Sequence, residues 1–336
     1  MPTFETSSGP VSVENWGYQL QGRKGRLKPK DFIDTPHDLL VIEASRDGSD
    51  AGRFTADDIA RMQNASGERT VVAAYISIGE AEEYRDYWQT DWTTTGTARG
   101  RLTDAAPGWL GPLNPNWPES RKVRYWDEDW QDIVFNDAGT GRLDAIVASG
   151  ADAAYLDIVD AYYFWGAEAT ARQREAGDPK NEKQAAKRMV DFIVEMTEHA
   201  RETNPDFFVI PQSAPWIVDA LGKDQARKDA FLDAIGAVAV EDLYFRGNKD
   251  ENNRLNPDEE TIEILKRDYL DNGIPVFVVD YLNNRKKVET FYELAREDGF
   301  IPYAAPSREL DRLGTPHDMA ALAQVLQAAA EDVMIF

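Results

Sequence analysis

Eight short runs of β-branched and aromatic residues recur along the chain, each followed by a loop and usually by a stretch of helical periodicity. They are ENWGYQLQ (14–21), DLLVIEAS (38–45), TVVAAYISIG (70–79), DAAYLDIVD (152–160), DFFVIPQSA (206–214), GAVAVEDLYF (236–245), IPVFVVDYL (274–282) and the weaker FIPYAA (300–305). Between them, TADDIARMQNA (55–65), KQAAKRMVDFIVEMTEHARE (183–202), DEETIEILKRDYLDN (258–272) and HDMAALAQVLQAAAEDV (317–333) read as helices. Thr55 ahead of an acidic pair, and Pro316 ahead of the last segment, are ordinary helix starts. Runs apolar on both faces, alternating with helices, predict parallel strands covered by a helical layer. Eight such units close a barrel, so the fold expected is α/β, a single (β/α)8 TIM barrel over residues 1–336, with 1–12 a flexible N-terminal segment. An open doubly wound sheet is the competing topology.

Two insertions break the alternation. Between the third strand and a helical pattern near 131–148 lie about fifty residues that hold six of the nine tryptophans: Trp88, Trp92, Trp109, Trp117, Trp126 and Trp130. Loops at the carboxyl ends of barrel strands form the active-site face, so this long Trp-rich loop is expected to shape a substrate cleft. The second insertion, NKDENNRLNPDEE (248–260), follows the sixth strand. It resembles a calcium loop in composition, but Arg254 and Leu255 stand where such a loop needs a ligand and a glycine, which favours a solvated acidic loop.

Composition narrows the partners. Sixty acidic residues against thirty-seven basic ones give a formal charge of -23, which repels phosphate backbones and anionic membranes; it serves solubility or a saline habitat, or, in the sharper reading, attracts a cationic polymer carrying free amino groups. No nucleic acid partner is expected. There is no cysteine, so disulfides, zinc-thiolate sites, iron–sulfur clusters and thiol catalysis fall away together. No stretch reaches the eighteen or more apolar residues of a membrane span, and the start, MPTFETSSGPVSVENW, has neither a basic end nor an apolar run. The expectation is a secreted or periplasmic monomer whose signal peptide is absent from this chain, with a cytoplasmic location left open.

Candidate chemistry lies in the position of the acids. Glu43, Glu80, Asp157, Asp160, Glu241 and Asp280 all fall near the carboxyl end of an expected strand, after apolar runs. The three histidines, His37, His199 and His317, do not, and there is no G-x-S-x-G elbow, so serine-type acyl transfer is not expected. Neither G-x-G-x-x-G after a strand nor a P-loop appears. Two carboxyl groups flanking one bond suffice for glycoside hydrolysis, one protonating the leaving oxygen and one attacking or activating water. Asp157 and Glu241, on the fourth and sixth strands, are the pair expected to do so, with no metal and no cofactor. Tyr162, Tyr163 and Trp165 after the fourth strand, and Gln212 and Trp216 after the fifth, supply flat rings and hydrogen-bonding groups suited to a sugar.

YISIGEAEEYRDYW (75–88), NPNWPESRKVRYWDEDW (114–130), AYLDIVDAYYFW (154–165), IPQSA (210–214), AVEDLYF (239–245) and VVDYL (278–282) resemble, in order, the motifs of glycoside hydrolase family 114, the endo-α-1,4-polygalactosaminidases and their prokaryotic relatives. The resemblance implies a (β/α)8 barrel, hydrolysis inside an α-1,4-linked galactosamine polymer, and Asp157 and Glu241 as catalytic residues. It also implies Glu80, Asp160, Gln212, Asp280 and Tyr281 as substrate-binding or supporting residues; Tyr75, Tyr162 and Trp165 complete the expected binding set. Around the fourth strand the chain reads like the bacterial and archaeal branch, which leaves other amino-sugar polymers open as substrates. Asp157 is expected to be the nucleophile and Glu241 the acid and then base of a retaining mechanism. A catalytically silent polysaccharide-binding barrel and an exo-acting α-galactosidase or α-galactosaminidase are the alternatives.

Overall fold

The computed structural model describes residues 1–22, 24–33, 35–64 and 69–317, so all but the first residue of the helix expected at 317–333 lies outside the described residues. Eight parallel strands carry the molecule: β1 (Trp16–Gln19), β2 (Leu39–Glu43), β3 (Val71–Ser77), β4 (Ala153–Asp157), β5 (Phe208–Pro211), β6 (Val238–Glu241), β7 (Val276–Tyr281) and β8 (Ile301–Ala305). The first five form one sheet in sequential order and the last three another. Parallel bridges Val209–Ile235 and Gln212–Ala239 run between β5 and β6, and Trp16 Nε1 donates to the Ile301 carbonyl at 2.9 Å between β1 and β8.

Alternation along the strands builds two cores, because successive side chains leave on opposite faces. One parity, with Tyr18, Val41, Ala73, Tyr155, Ile210, Ala239, Val279 and Tyr303 among its members, makes a single buried cluster that draws on all eight strands. The other parity, including Ala74, Leu156, Val209, Val240 and Val278, packs against the helices. Helix Ala56–Gln63 starts where expected, on a reciprocal cap between Thr55 and Asp58. Glu182–Thr203 starts on Asn181 and buries Met189, Val190, Phe192, Ile193 and Met196 on one face.

The structure adds detail to two expectations. Within residues 1–12, Thr3–Phe4 pairs antiparallel with Val11–Ser12, and the Phe4 ring stacks 5.0 Å from Phe208 and 6.2 Å from Phe277, at the amino ends of β5 and β7. The stretch after β3 is no simple Trp-lined loop, since Glu80–Glu82, Ser120–Val123 and Leu110–Leu113 form a small antiparallel sheet within it. Its tryptophans serve mainly as core. Trp88, Trp92, Trp109 and Trp130 pack in series at centroid separations of 5.0–5.5 Å, Trp126 packs on Trp165, and Trp117 is the one large exposed ring of the six, at 63%. Among the described residues no helix is long and apolar enough to cross a membrane.

Candidate active site

The strand parity that fills the inner cluster continues one step further at the carboxyl ends, where it turns polar. Ala153 and Tyr155 lead to Asp157; Phe208 and Ile210 lead to Gln212; Ala237 and Ala239 lead to Glu241; Phe277 and Val279 lead to Tyr281. Side chains two apart on a strand share a face, so the same hydrophobic pattern that buries the cluster delivers these four groups to one place.

They meet there. Tyr75 Oη donates to Asp157 Oδ2 at 2.6 Å, and Tyr281 Oη donates to Glu241 Oε2. Gln212 stands between, its Oε1 accepting from Tyr155 Oη at 2.6 Å while its amide bonds the Glu241 carboxylate. Asp157 and Glu241 are both half-buried, so each is desolvated without being walled off from solvent. Burial, with the charge of Glu241 added, lifts Asp157 to about 7 against the donated bond from Tyr75. Burial also raises Glu241, with Asp242 adding to the rise and Tyr281, Arg308 and Gln212 opposing it.

Backbone conformation at the three strand ends is special. Ile158, Ser213 and Asp242, each directly after a site residue, have φ of 59°, 62° and 54°. For β-branched Ile158 this is a strained state of the kind held at functional sites by surrounding structure. Gly79 lets the chain pass close beside it: a Cβ there would lie 2.1 Å from the Ile158 carbonyl oxygen and 2.7 Å from the Ala161 Cβ. The glycine of the S-I-G-E motif thus serves a close approach between the chain after β3 and the chain after β4.

The other expected residues divide. Glu80, 2% exposed, accepts from Lys122 Nζ at 2.5 Å, in the small antiparallel sheet, and from Asn114 Nδ2 at 2.7 Å, just after its Leu110–Leu113 strand, and burial raises its pKa. Asp160 is exposed close enough for its charge to raise both Glu80 and Asp157. Asp280 is not at the open surface: fully buried, it accepts backbone N–H bonds from Leu243, Tyr244 and Phe245 at 2.9, 3.2 and 2.7 Å and so fixes the turn after Glu241. Trp165 is fully buried, donating to the Val123 carbonyl at 2.8 Å beneath the Arg124 guanidinium, and Tyr162 is 3% exposed; both are packing residues. Trp216 is half-buried on Thr261, whereas Tyr163 is 48% exposed. Glu43 is held bidentate by buried Arg85 at 2.9 Å, an ion pair that takes it out of the chemistry.

Several residues of the site had no signal in a single motif. Tyr18 lies in a run without acids and comes from the far side of the cluster, where the charges of Asp157 and Glu241 both reach it. Tyr155 was readable, two positions before Asp157 on the same strand. Arg308 lies beyond the last strand; its guanidinium covers the Tyr281 ring at 3.8 Å and pairs with Asp242 at 2.7 Å. The 248–260 insertion holds it, through the Asp250 carbonyl at 3.0 Å and Glu251 at 3.2 Å. In that insertion the carbonyls of Asn252 and Asn253 accept from Lys287 Nζ at 2.5 and 2.6 Å.

The model of glycoside-hydrolase family GH114 matches residues 3–320. An uncharacterized protein of Thermotoga maritima is 32% identical over 313 residues, covering 90% of this chain and 84% of that protein. One of Methanocaldococcus jannaschii is 33% identical over 312 residues, covering 89% and 78%. Among solved structures, the glycoside hydrolase domain of PelA from Pseudomonas aeruginosa superposes with a TM-score of 0.57 at 16% identity, over 89% of this chain and 97% of that one. That similarity speaks for the fold.

Proposed function

This chain belongs to glycoside hydrolase family GH114, and we propose that it hydrolyses bonds inside an α-1,4-linked galactosamine-containing polysaccharide with Asp157 as nucleophile and Glu241 as acid and base. The observation that carries the reading is the carboxylate pair: two half-buried acids at the ends of β4 and β6, each receiving a tyrosine hydroxyl, with Gln212 beside them. A closed (β/α)8 barrel is part of the same proposal. The parallel bridges between β5 and β6, and the Trp16 bond to Ile301, support closure at its two seams.

In the proposed mechanism Asp157 attacks the anomeric carbon as the carboxylate while Glu241, protonated, gives its proton to the departing oxygen. A glycosyl ester on Asp157 results; Glu241, now ionised, then takes a proton from water, which breaks the ester and returns Asp157 as the carboxylate. Tyr75 holds the attacking carboxylate in orientation, and Tyr281 holds Glu241. The acid excess of the whole molecule, -23, supports a cationic amino-sugar polymer as substrate. Action outside the cytoplasm goes with a polymer of that kind. The test is Asp157→Asn assayed for reducing-end release from partly deacetylated galactosaminogalactan. Turnover should fall to background with polymer binding still measurable, whereas a variant that still cuts would place the nucleophile elsewhere.

A further inference from the structure

Beside the carboxylate pair, the loops that follow β1, β2 and β3 enclose a recess of about 260 Å³, close to the lower end of ligand pockets, which start at roughly 300 Å³. Tyr75, whose hydroxyl bonds Asp157, forms part of its wall, so the recess begins one side chain from the proposed nucleophile. Its outer wall is Tyr84, which at 46% is among the most exposed large side chains. An exposed tyrosine is ordinarily mobile. This one is fixed on three sides.

Behind its ring lies the Arg85 guanidinium at 4.7 Å, itself 2% exposed and clamped by Glu43 and Glu82. Its hydroxyl donates to Glu82. Along its edge runs Gly48, where even an added Cβ would come within 2.7 Å of the ring. What remains is an aromatic ring held by these contacts, partly exposed and lining the recess, with Asp47, Arg46 and Gln21 around it. Such a surface suits a ring that has a flat C–H face and a polar rim, because the C–H groups lie on the π-face while the rim hydroxyl or amino groups bond the surrounding polar side chains. The charged rim disfavours a purely apolar ligand.

We propose that this recess is a substrate subsite in which a sugar unit of the bound polymer stacks on Tyr84. The inference rests on the glycosidase reading and adds the direction in which the polymer runs from Asp157, over the loops after β1 to β3. It assigns Tyr84 and Arg85, in the EEYR segment, a role in holding the chain of sugars instead of cutting it. It also accounts for the ion-pair cluster Glu43–Arg85–Glu82, whose three buried charges have no part in the reaction but hold the platform rigid.

The test uses the full chain carrying Asp157→Asn, titrated calorimetrically with α-1,4-linked galactosamine oligosaccharides of increasing length. Affinity should rise with length, and Tyr84→Ala should weaken binding of the longer oligomers by about tenfold, a usual consequence of truncating a central aromatic contact. Tyr84→Phe should bind as the parent does, since the face is kept. Gln21→Trp, at an exposed position where nothing has to refold, should fill the recess and give the same loss as Tyr84→Ala. If the Asp157→Asn protein binds none of the oligomers, the functional reading falls and the subsite with it. If it binds them, and Tyr84→Ala and Gln21→Trp bind equally well, the subsite alone falls.

Discussion

At the scale of single residues, the two tyrosines on the carboxylates set which proton is where. Tyr75 Oη donates to Asp157, and a bond given to a carboxylate favours its ionised form, so it holds down a pKa that burial has raised to about 7. Removing it in Tyr75→Phe should raise Asp157 further, by about one to two pH units, since a bond to a charged group contributes about 1.5–3 kcal/mol net and one unit is about 1.4 kcal/mol. If Asp157 attacks, it must be ionised, and the acid limb of the kcat/KM profile moves to higher pH. An alkaline limb that moves instead would mean that Asp157 is the acid and the roles are reversed. Arg308 supplies the complementary measurement, because its charge lowers Glu241 and its guanidinium lies over the Tyr281 ring. Arg308→Gln should raise Glu241, so the alkaline limb shifts upward while the acid limb stays; Arg308→Lys keeps the charge and should restore most of the wild-type profile. No shift in either limb would show that Arg308 only packs. The measured limbs belong to the coupled pair, so it is the direction of each change that assigns the residue.

At the scale of elements, parity decided what was legible. Asp157, Gln212, Glu241 and Tyr281 could be placed from sequence because each continues the inward alternation of its strand past the last apolar residue. Asp280 takes the supporting one of its two expected roles, for the same reason in reverse. One position before Tyr281, it leaves β7 on the opposite face and caps the 243–245 turn from beneath. The Trp-rich stretch misled because aromatic content says nothing about which side of a small sheet each ring faces, and most of those rings join the core that packs the strands against the helices. Arg308, Tyr18 and Tyr84 were invisible because their meaning depends on partners from remote parts of the chain. Gly79 was in view as part of S-I-G-E, but its reason is an approach of the chain after β3 to the Ile158 backbone. Gly79→Ala should force Ile158 out of its positive-φ position and move Asp157 with it, lowering kcat at least tenfold, as a 1 Å misplacement in an active site can cost roughly a hundredfold. Thermal melting of the same variant separates the two possible causes. A melting temperature near that of wild type with lost turnover supports a local displacement, whereas wild-type kcat would show that the approach is not needed.

At the scale of the whole molecule, the alternation of strands and helices announced an α/β parallel architecture, because eight doubly apolar runs have few other ways to bury both faces. What the pattern did not reveal is that the first twelve residues cover the amino ends of β5 and β7, since Phe4 is a single apolar residue in a polar lead. The balance of acids has a global consequence. Asp157 and Asp280 are both lifted to about 7 from an ordinary value of 3.8, chiefly by burial, so between those limits the folded chain holds protons that the unfolded chain has released. Stability from these groups is complete below pH 3.8 and is lost as pH rises through about 7. Self-repulsion at a formal charge of -23 acts in the same direction over that range, but salt screens it, whereas the buried carboxylates are screened much less. The melting temperature should therefore fall from pH 5 to pH 8, and added salt should recover only part of the loss. Asp157→Asn keeps an oxygen for Tyr75 to donate to and removes a charge that is costly to bury, so above pH 7 it should melt roughly 2–4 °C higher than wild type, the shift that 1 kcal/mol brings in larger domains. At pH 4, where Asp157 is already protonated, the difference should vanish. A variant no more stable than wild type at pH 8 would mean that the site bears no strain from the buried Asp157 carboxylate, and that its raised pKa is offset by contacts which only the carboxylate makes.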